Sequence, residues 1–134
     1  MKLDSNNVTQ IRIARPTDKM PDILRFYQEG LGFEEIGSFT DHNGYSGVML
    51  QLPDSSCHLE FTEHEAGSPC PAPTRDNLLV LYIPDKTICN ERIDHMKKMG
   101  YSPVPPENPY WKDKGVTFED PDGWRAVLMN TPGI

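Results

Sequence analysis

Apolar and polar residues alternate from Val8 to Arg15, the period of a half-buried strand. Thr17 or Asp18 can cap the segment that follows, and Pro21 suits a first helical turn. Ile23, Leu24, Tyr27 and Leu31 then recur at helical spacing, and Gly30 or Gly32 ends the helix. Phe33–Thr40 reads as a strand, Asp41-His42-Asn43-Gly44 as a turn and Tyr45–Leu52 as the next strand. Asp54-Ser55-Ser56 turns into a fourth strand, Cys57–His64.

The pattern then repeats. Ile11–Pro16 lies over Leu79–Pro84 at an offset of 68. The same offset carries Gly32-Phe33 onto Gly100-Tyr101, Gly47-Val48 onto Gly115-Val116 and Pro53-Asp54 onto Pro121-Asp122. Two copies of one unit follow, over residues 8–65 and 76–130 of a single domain, joined by a Pro-rich linker at 66–75. In the second copy, Asn77–Ile83 is nearly all apolar and reads as a strand buried on both faces. Lys86–Met99 reads as a helix with Ile88, Ile93, Met96 and Met99 inward. Prolines restrict Ser102–Pro106 to a short edge-like strand. Gly115–Glu119 and Trp124–Asn130 close the unit around the Asp120-Pro121-Asp122-Gly123 turn.

With 134 residues the chain is long enough to bury a core without staples. Twenty acidic residues against thirteen basic give a net charge of −7, a poor match to nucleic acid. No apolar run is long enough for a membrane helix, and the start has no signal core. Cys57, Cys70 and Cys89 form no CxxC pair, which fits reduced thiols in a cytoplasm. Cys57 and Cys89 read as buried small apolar groups, and Cys70 as a linker residue.

Phe26-Tyr27 with Leu31-Gly32-Phe33, Leu59-Glu60-Phe61-Thr62, and Asp120-Pro121-Asp122-Gly123 occur in this order on the duplicated frame. In this the chain resembles the vicinal oxygen chelate superfamily, which includes glyoxalase I, bleomycin-resistance proteins, fosfomycin-resistance enzymes and extradiol dioxygenases. The resemblance implies an α+β fold of two βαβββ modules forming a concave mixed sheet. It also implies four inward metal-ligand positions, filled by His, Gln or Glu in metal-dependent members. Of these, Glu60 matches. The last strand offers Val127, the first strand of the second copy Leu79, and the first strand of the first copy Ile11 by the repeat offset or Arg12 by counting back from Phe26-Tyr27. A tightly held metal is therefore not expected. His58, two residues from Glu60 and on the same side of a strand, leaves a displaced Zn, Ni or Mn site as an alternative.

Other candidates have two readings each. Glu60 beside His58 can poise an acid or base, or be an inherited polar pair. Arg15 matches a glyoxalase I arginine that binds an anionic part of the substrate, yet suits a salt bridge equally. Arg12 has the same two readings. Tyr110 and Trp111, in a Pro-constrained loop, can form a stacking wall, a plug or a dimer contact. Trp124 fits the mouth of a cleft or simple packing. His42, His95 and the Glu63-His64-Glu65 cluster read as solvated. The resulting expectation is a small-molecule-binding protein, a homodimer by resemblance, with a degenerate metal site. Its alternatives are a glyoxalase-type lyase or isomerase using Glu60 with His58, and a structural dimer without ligand.

Overall fold

A computed structural model describes residues 2–53 and 55–134. The chain divides into two compact units, residues 1–70 and 71–134. The expected turn at Asp54-Ser55-Ser56 begins on Asp54, outside the described residues.

The first unit is a mixed sheet with one helical segment against it. Its strands are β1 (Ile11–Pro16), β2 (Glu34–His42), β3 (Tyr45–Gln51) and β4 (Cys57–His64), in the order β1-β4-β3-β2. β1 runs parallel to β4, and the other neighbours are antiparallel. The parallel pair needs a crossover, and the helical segment followed by β2 and β3 supplies it. Asn43 and Gly44 both have positive φ, at 53° and 84°, so the turn tightens to a two-residue hairpin and β2 continues through His42.

The first helix departs from expectation. α1 spans only Met20–Leu24 and continues as a π-helical turn over Arg25–Gly30. The Leu31 amide reaches back to the Phe26 carbonyl, a five-residue step. Neither expected cap acts at the helix start. Lys19 holds that position without a side-chain bond. Thr17 Oγ1 instead accepts from the Lys19 amide, and Asp18 from the Ser68 amide. Ile23, Phe26, Tyr27, Phe33, Leu59 and Phe61 are buried. The Tyr27 and Phe61 rings lie 5.0 Å apart, and each such burial stabilises by roughly 1.5–3 kcal/mol.

The second unit has three strands, β5 (Leu78–Tyr82), β6 (Gly115–Glu119) and β7 (Arg125–Met129), in the order β5-β7-β6. α2 (Lys86–Lys98) begins at Asp85, whose carboxylate accepts from the Ile88 amide. Cys89, Ile93 and Met96 form its buried stripe, whereas Ile88, expected inward, is exposed. Three further expectations are corrected. Ser102–Pro106 is not a strand but a single bridge, Val104 to Thr117, because its prolines cannot donate to a ladder. β5 is not buried on both faces. It is an edge strand of half-buried residues with Tyr82 exposed. Cys57 is half-buried rather than buried, as is Cys70 in the linker.

Candidate functional site

Parallel partners share a face of a sheet, so register decides which side chains meet. Across β1 and β4, Arg12 stands opposite His58, and Ala14 opposite Glu60. These four side chains lie on one face. Ile11, Ile13 and Arg15 lie on the other. Arg15 stands over the Tyr27 and Phe61 rings, at 5.7 and 5.4 Å, and donates to the Tyr27 hydroxyl at 3.4 Å. It packs with the aromatic core and does not join Arg12, His58 and Glu60. Of the two first-strand candidates, Arg12 faces Glu60 and Ile11 does not.

Arg12 binds both polar neighbours. Its Nε donates to His58 Nε2 at 2.8 Å, and its Nη1 lies 3.3 Å from Glu60 Oε2. An arginine nitrogen can only donate, so the histidine lone pair is at Nε2 and its proton at Nδ1. That Nδ1 is buried and has no hydrogen-bond partner among the described residues. His58 is 1% exposed and Glu60 9%, while the Arg12 side chain keeps 47% of its surface open. The buried carboxylate thus meets a cation whose outer N–H groups stay accessible. Gln51 stands opposite His58 from the β3 side. Its amide turns away to donate to the Leu52 and Cys57 carbonyls at 3.1 and 3.0 Å, holding the β3–β4 turn. This role depends on the turn's shape and carries no sequence signal.

The second unit has other chemistry at the corresponding positions. Val127 pairs with Val80 on one side and Thr117 on the other. Leu78, two residues before Val80, therefore shares the Val127 face, and Leu79 does not. The expected position at Leu79 moves to Leu78. The cause is that the repeat offset is not uniform. It is 68 between β3 and β6, 67 between β4 and β7, and 66 between β1 and β5, as the registers show. Thr117 Oγ1 on this face is buried and has no hydrogen-bond partner among the described residues.

Arg125, which periodicity does not single out, is 4% exposed. Its Nε and Nη2 donate to Glu119 Oε1 at 3.0 and 2.9 Å, and its Nη1 to the Pro105 carbonyl at 3.0 Å. It pins the proline segment that cannot pair as a strand. Tyr110 and Trp111 lie in a 3-10 turn, Pro109–Trp111, whose first amide hydrogen bond goes to the Asn108 side chain. Their rings meet edge to face at 4.9 Å, with Tyr110 exposed and Trp111 half-buried. The Trp111 carbonyl packs where a Cβ on Gly115 would lie, beside Val127 and Met129. Trp124 is half-buried, and its amide donates to Asp120 Oδ1 at 3.0 Å, which closes the Asp120–Gly123 turn.

His42 and His64 sit at the hairpin end of the first sheet, each paired with Tyr45. His42 and His95 are exposed. His64 accepts from the Ala66 amide through Nδ1 and packs edge-on to Tyr45 at 4.6 Å. A cleft of about 370 Å³ beside it is lined by Asp18, Asp41, Ser46, Glu63, His64 and Glu65. Among the described residues, no three His, Cys, Asp or Glu side chains cluster closely enough to hold a metal. Burial raises the Cys89 thiol above its ordinary range. Among the described residues, no helix is long and apolar enough to cross a membrane.

The sequence matches the YycE-like N-terminal domain over residues 11–62 and the YycE-like C-terminal domain over residues 76–130. It is 52% identical to the Bacillus subtilis protein YycE over 133 residues, covering 99% of this chain and 96% of that one. The crystal structure of a B. subtilis YycE protein superposes with a TM-score of 0.93 at 51% identity, over 100% of this chain and 98% of that one. At 18% identity the fold is shared with Leishmania major glyoxalase I, at a TM-score of 0.70 over 91% of this chain and 86% of that one. It is shared too with TnmS3, an antibiotic-binding protein from Streptomyces, at 18% identity and a TM-score of 0.62 over 90% of this chain and 93% of that one. The register, the duplicated strand plan and these matches agree: the chain belongs to the YycE-like family of the vicinal oxygen chelate superfamily.

Proposed function

We propose that this protein binds a small molecule without a tightly held divalent metal, and that Arg12, His58 and Glu60 form the ligand face of its first unit. The observation that carries the reading is the placement of Arg12. Its guanidinium takes the His58 lone pair and pairs with the Glu60 carboxylate. The corresponding positions of the second unit, Leu78 and Val127, offer only hydrocarbon. The donors present therefore do not fit an octahedral N/O ion. The half-exposed guanidinium keeps N–H groups free for a ligand oxygen, and His58 with Glu60 fixes its position. That the same fold serves an antibiotic-binding protein supports sequestration as its use.

The test is binding of aromatic and anionic metabolites and of antibiotics to chelator-treated protein, read by calorimetry and tryptophan quenching. Saturable binding insensitive to chelator is expected. Arg12→Ala should weaken it by about 1.5–3 kcal/mol, the range for a hydrogen bond to a charged group. Binding that needs added metal would end the proposal. The aromatic turn of the second unit is tested separately. If Trp111 is a ligand anchor, Trp111→Ala costs roughly 1–3 kcal/mol of affinity. Unchanged affinity removes it from the site.

A second reading has its own support. His58 carries a buried, unpartnered Nδ1–H two residues from a buried carboxylate, an arrangement suited to proton transfer in a glyoxalase-type lyase or isomerase. Glu60→Gln should then abolish turnover of such substrates with the fold intact, and normal turnover would exclude it. Assembly as a homodimer belongs to the proposal as well. β1 has a strand neighbour on one side only, and it exposes Ile11 and Ile13 by 52% and 46%. Sedimentation at one chain's mass would exclude the dimer.

A further inference from the structure

We infer that Arg12 is a resident cation standing in the place of a metal ion, and that His58 and Glu60 are latent ligands which it holds closed. This rests on the metal-free reading above and goes further by naming the residue that enforces it. Three observations converge. First, His58 Nε2 and Glu60 Oε2 can each coordinate an ion, and one guanidinium contacts both, at 2.8 and 3.3 Å. Second, both donors are buried, so the carboxylate needs a positive partner whether or not an ion is present. Third, Arg12 stands directly opposite His58 in the register. A shorter imidazole or amide at that position would face the same two donors from the adjacent strand, about 4.8 Å away.

Arginine at this place has a distinct consequence. Its charge is permanent, since the guanidinium does not deprotonate in proteins, and it has no lone pair to share with an ion. A metal would have to displace a hydrogen-bonded cation before reaching either donor. Removing the guanidinium should reverse this. Arg12→His places two imidazoles and one carboxylate on one sheet face, the donor set of a facial triad. Arg12→Gln places an amide oxygen there instead. Because Arg12 is half-exposed on an edge strand, both variants should fold.

The experiment titrates Zn, Ni, Mn and Co alone into chelator-stripped wild type, Arg12→His, Arg12→Gln and Arg12→His with Glu60→Gln. It reads heat, the metal-induced shift in Tm, and Co(II) absorption. The expected result is no saturable binding in wild type, one-to-one binding in Arg12→His or Arg12→Gln with a raised Tm, and its loss when Glu60→Gln is added. A silent wild type with both variants folded and silent overturns the inference, while the metal-free reading stands. Saturable one-to-one binding by wild type overturns both.

Discussion

The two units share a strand plan and treat the same register positions in opposite ways. In the first, β4 presents His58 and Glu60, and the parallel neighbour β1 answers with Arg12. In the second, β7 presents Arg125 and Val127, and β5 answers with Leu78. Each last strand therefore carries a nitrogen-bearing side chain at the same point. His58 is met from the parallel side by a cation that remains half-open to solvent. Arg125 is met from the antiparallel side by Glu119 and by the Pro105 carbonyl, and is shut away. The first arrangement leaves donors for a ligand, and the second spends them on holding a segment that cannot pair as a strand. A repeat thus conserves where side chains point, while partner chemistry decides whether a position works outward or inward.

The sharpest way to break this comparison is Arg125→Ala. It strands the Glu119 carboxylate and the Pro105 carbonyl, and the expected loss is about 2–3 kcal/mol, below the full cost of breaking a buried pair because Glu119 is 38% exposed. Chemical denaturation measures it. A loss no larger than that of a surface substitution would mean that Arg125 is not a clamp.

Gly47 and Gly115 are the next test, because they occupy one position of the repeat. A Cβ on Gly47 would come within 2.5 Å of the Phe39 ring, which can pivot. A Cβ on Gly115 would strike the Trp111 carbonyl, which is backbone. Gly115→Ala should therefore cost roughly 1–3 kcal/mol and Gly47→Ala less. Equal costs would show that the aromatic turn gives way as easily as a side chain.

Glu60→Gln is a smaller perturbation. It keeps the volume and one acceptor, and the Arg12 partner is half-exposed, so about 1 kcal/mol or less of stability should be lost. A loss as large as that of Arg125→Ala would mean that the first face is as structural as the second.

The smallest effect concerns the thiols. Burial raises the Cys89 pKa and so lowers its thiolate fraction, and the side chain is buried where Cys57 and Cys70 are half-buried. The sign follows: stability gained by keeping this thiol neutral is complete below the ordinary thiol range and is lost as pH rises through the raised value. Cys89 should react with iodoacetamide after Cys57 and Cys70. Labelling of Cys89 first would contradict its placement in the α2 core.

Local signals in the chain determined a good deal. Alternation placed Cys57–His64 to the residue, Asp41-His42-Asn43-Gly44 marked a hairpin that the structure tightens to its last two residues, and Asp120–Gly123 marked the last turn, because strand period and positive φ are properties of a few neighbouring residues. The same signals placed His58 and Glu60 on one face. Two things waited for the tertiary structure. Helical segments of unequal length, Met20–Gly30 against Lys86–Lys98, made the repeat offset slip between 66 and 68, which turned the expected Leu79 into Leu78 and favoured Arg12 over Ile11. A one-residue change of register exchanges the two faces of a strand, so no count along the sequence could settle it. Arg15 and Arg12 look alike in sequence, three residues apart, yet one stacks on Tyr27 and Phe61 while the other binds His58 and Glu60. The sequence sets which groups exist and roughly which way each strand turns them. Pairing between strands, made by hydrogen bonds across dozens of residues, decides which of those groups come within reach of one another.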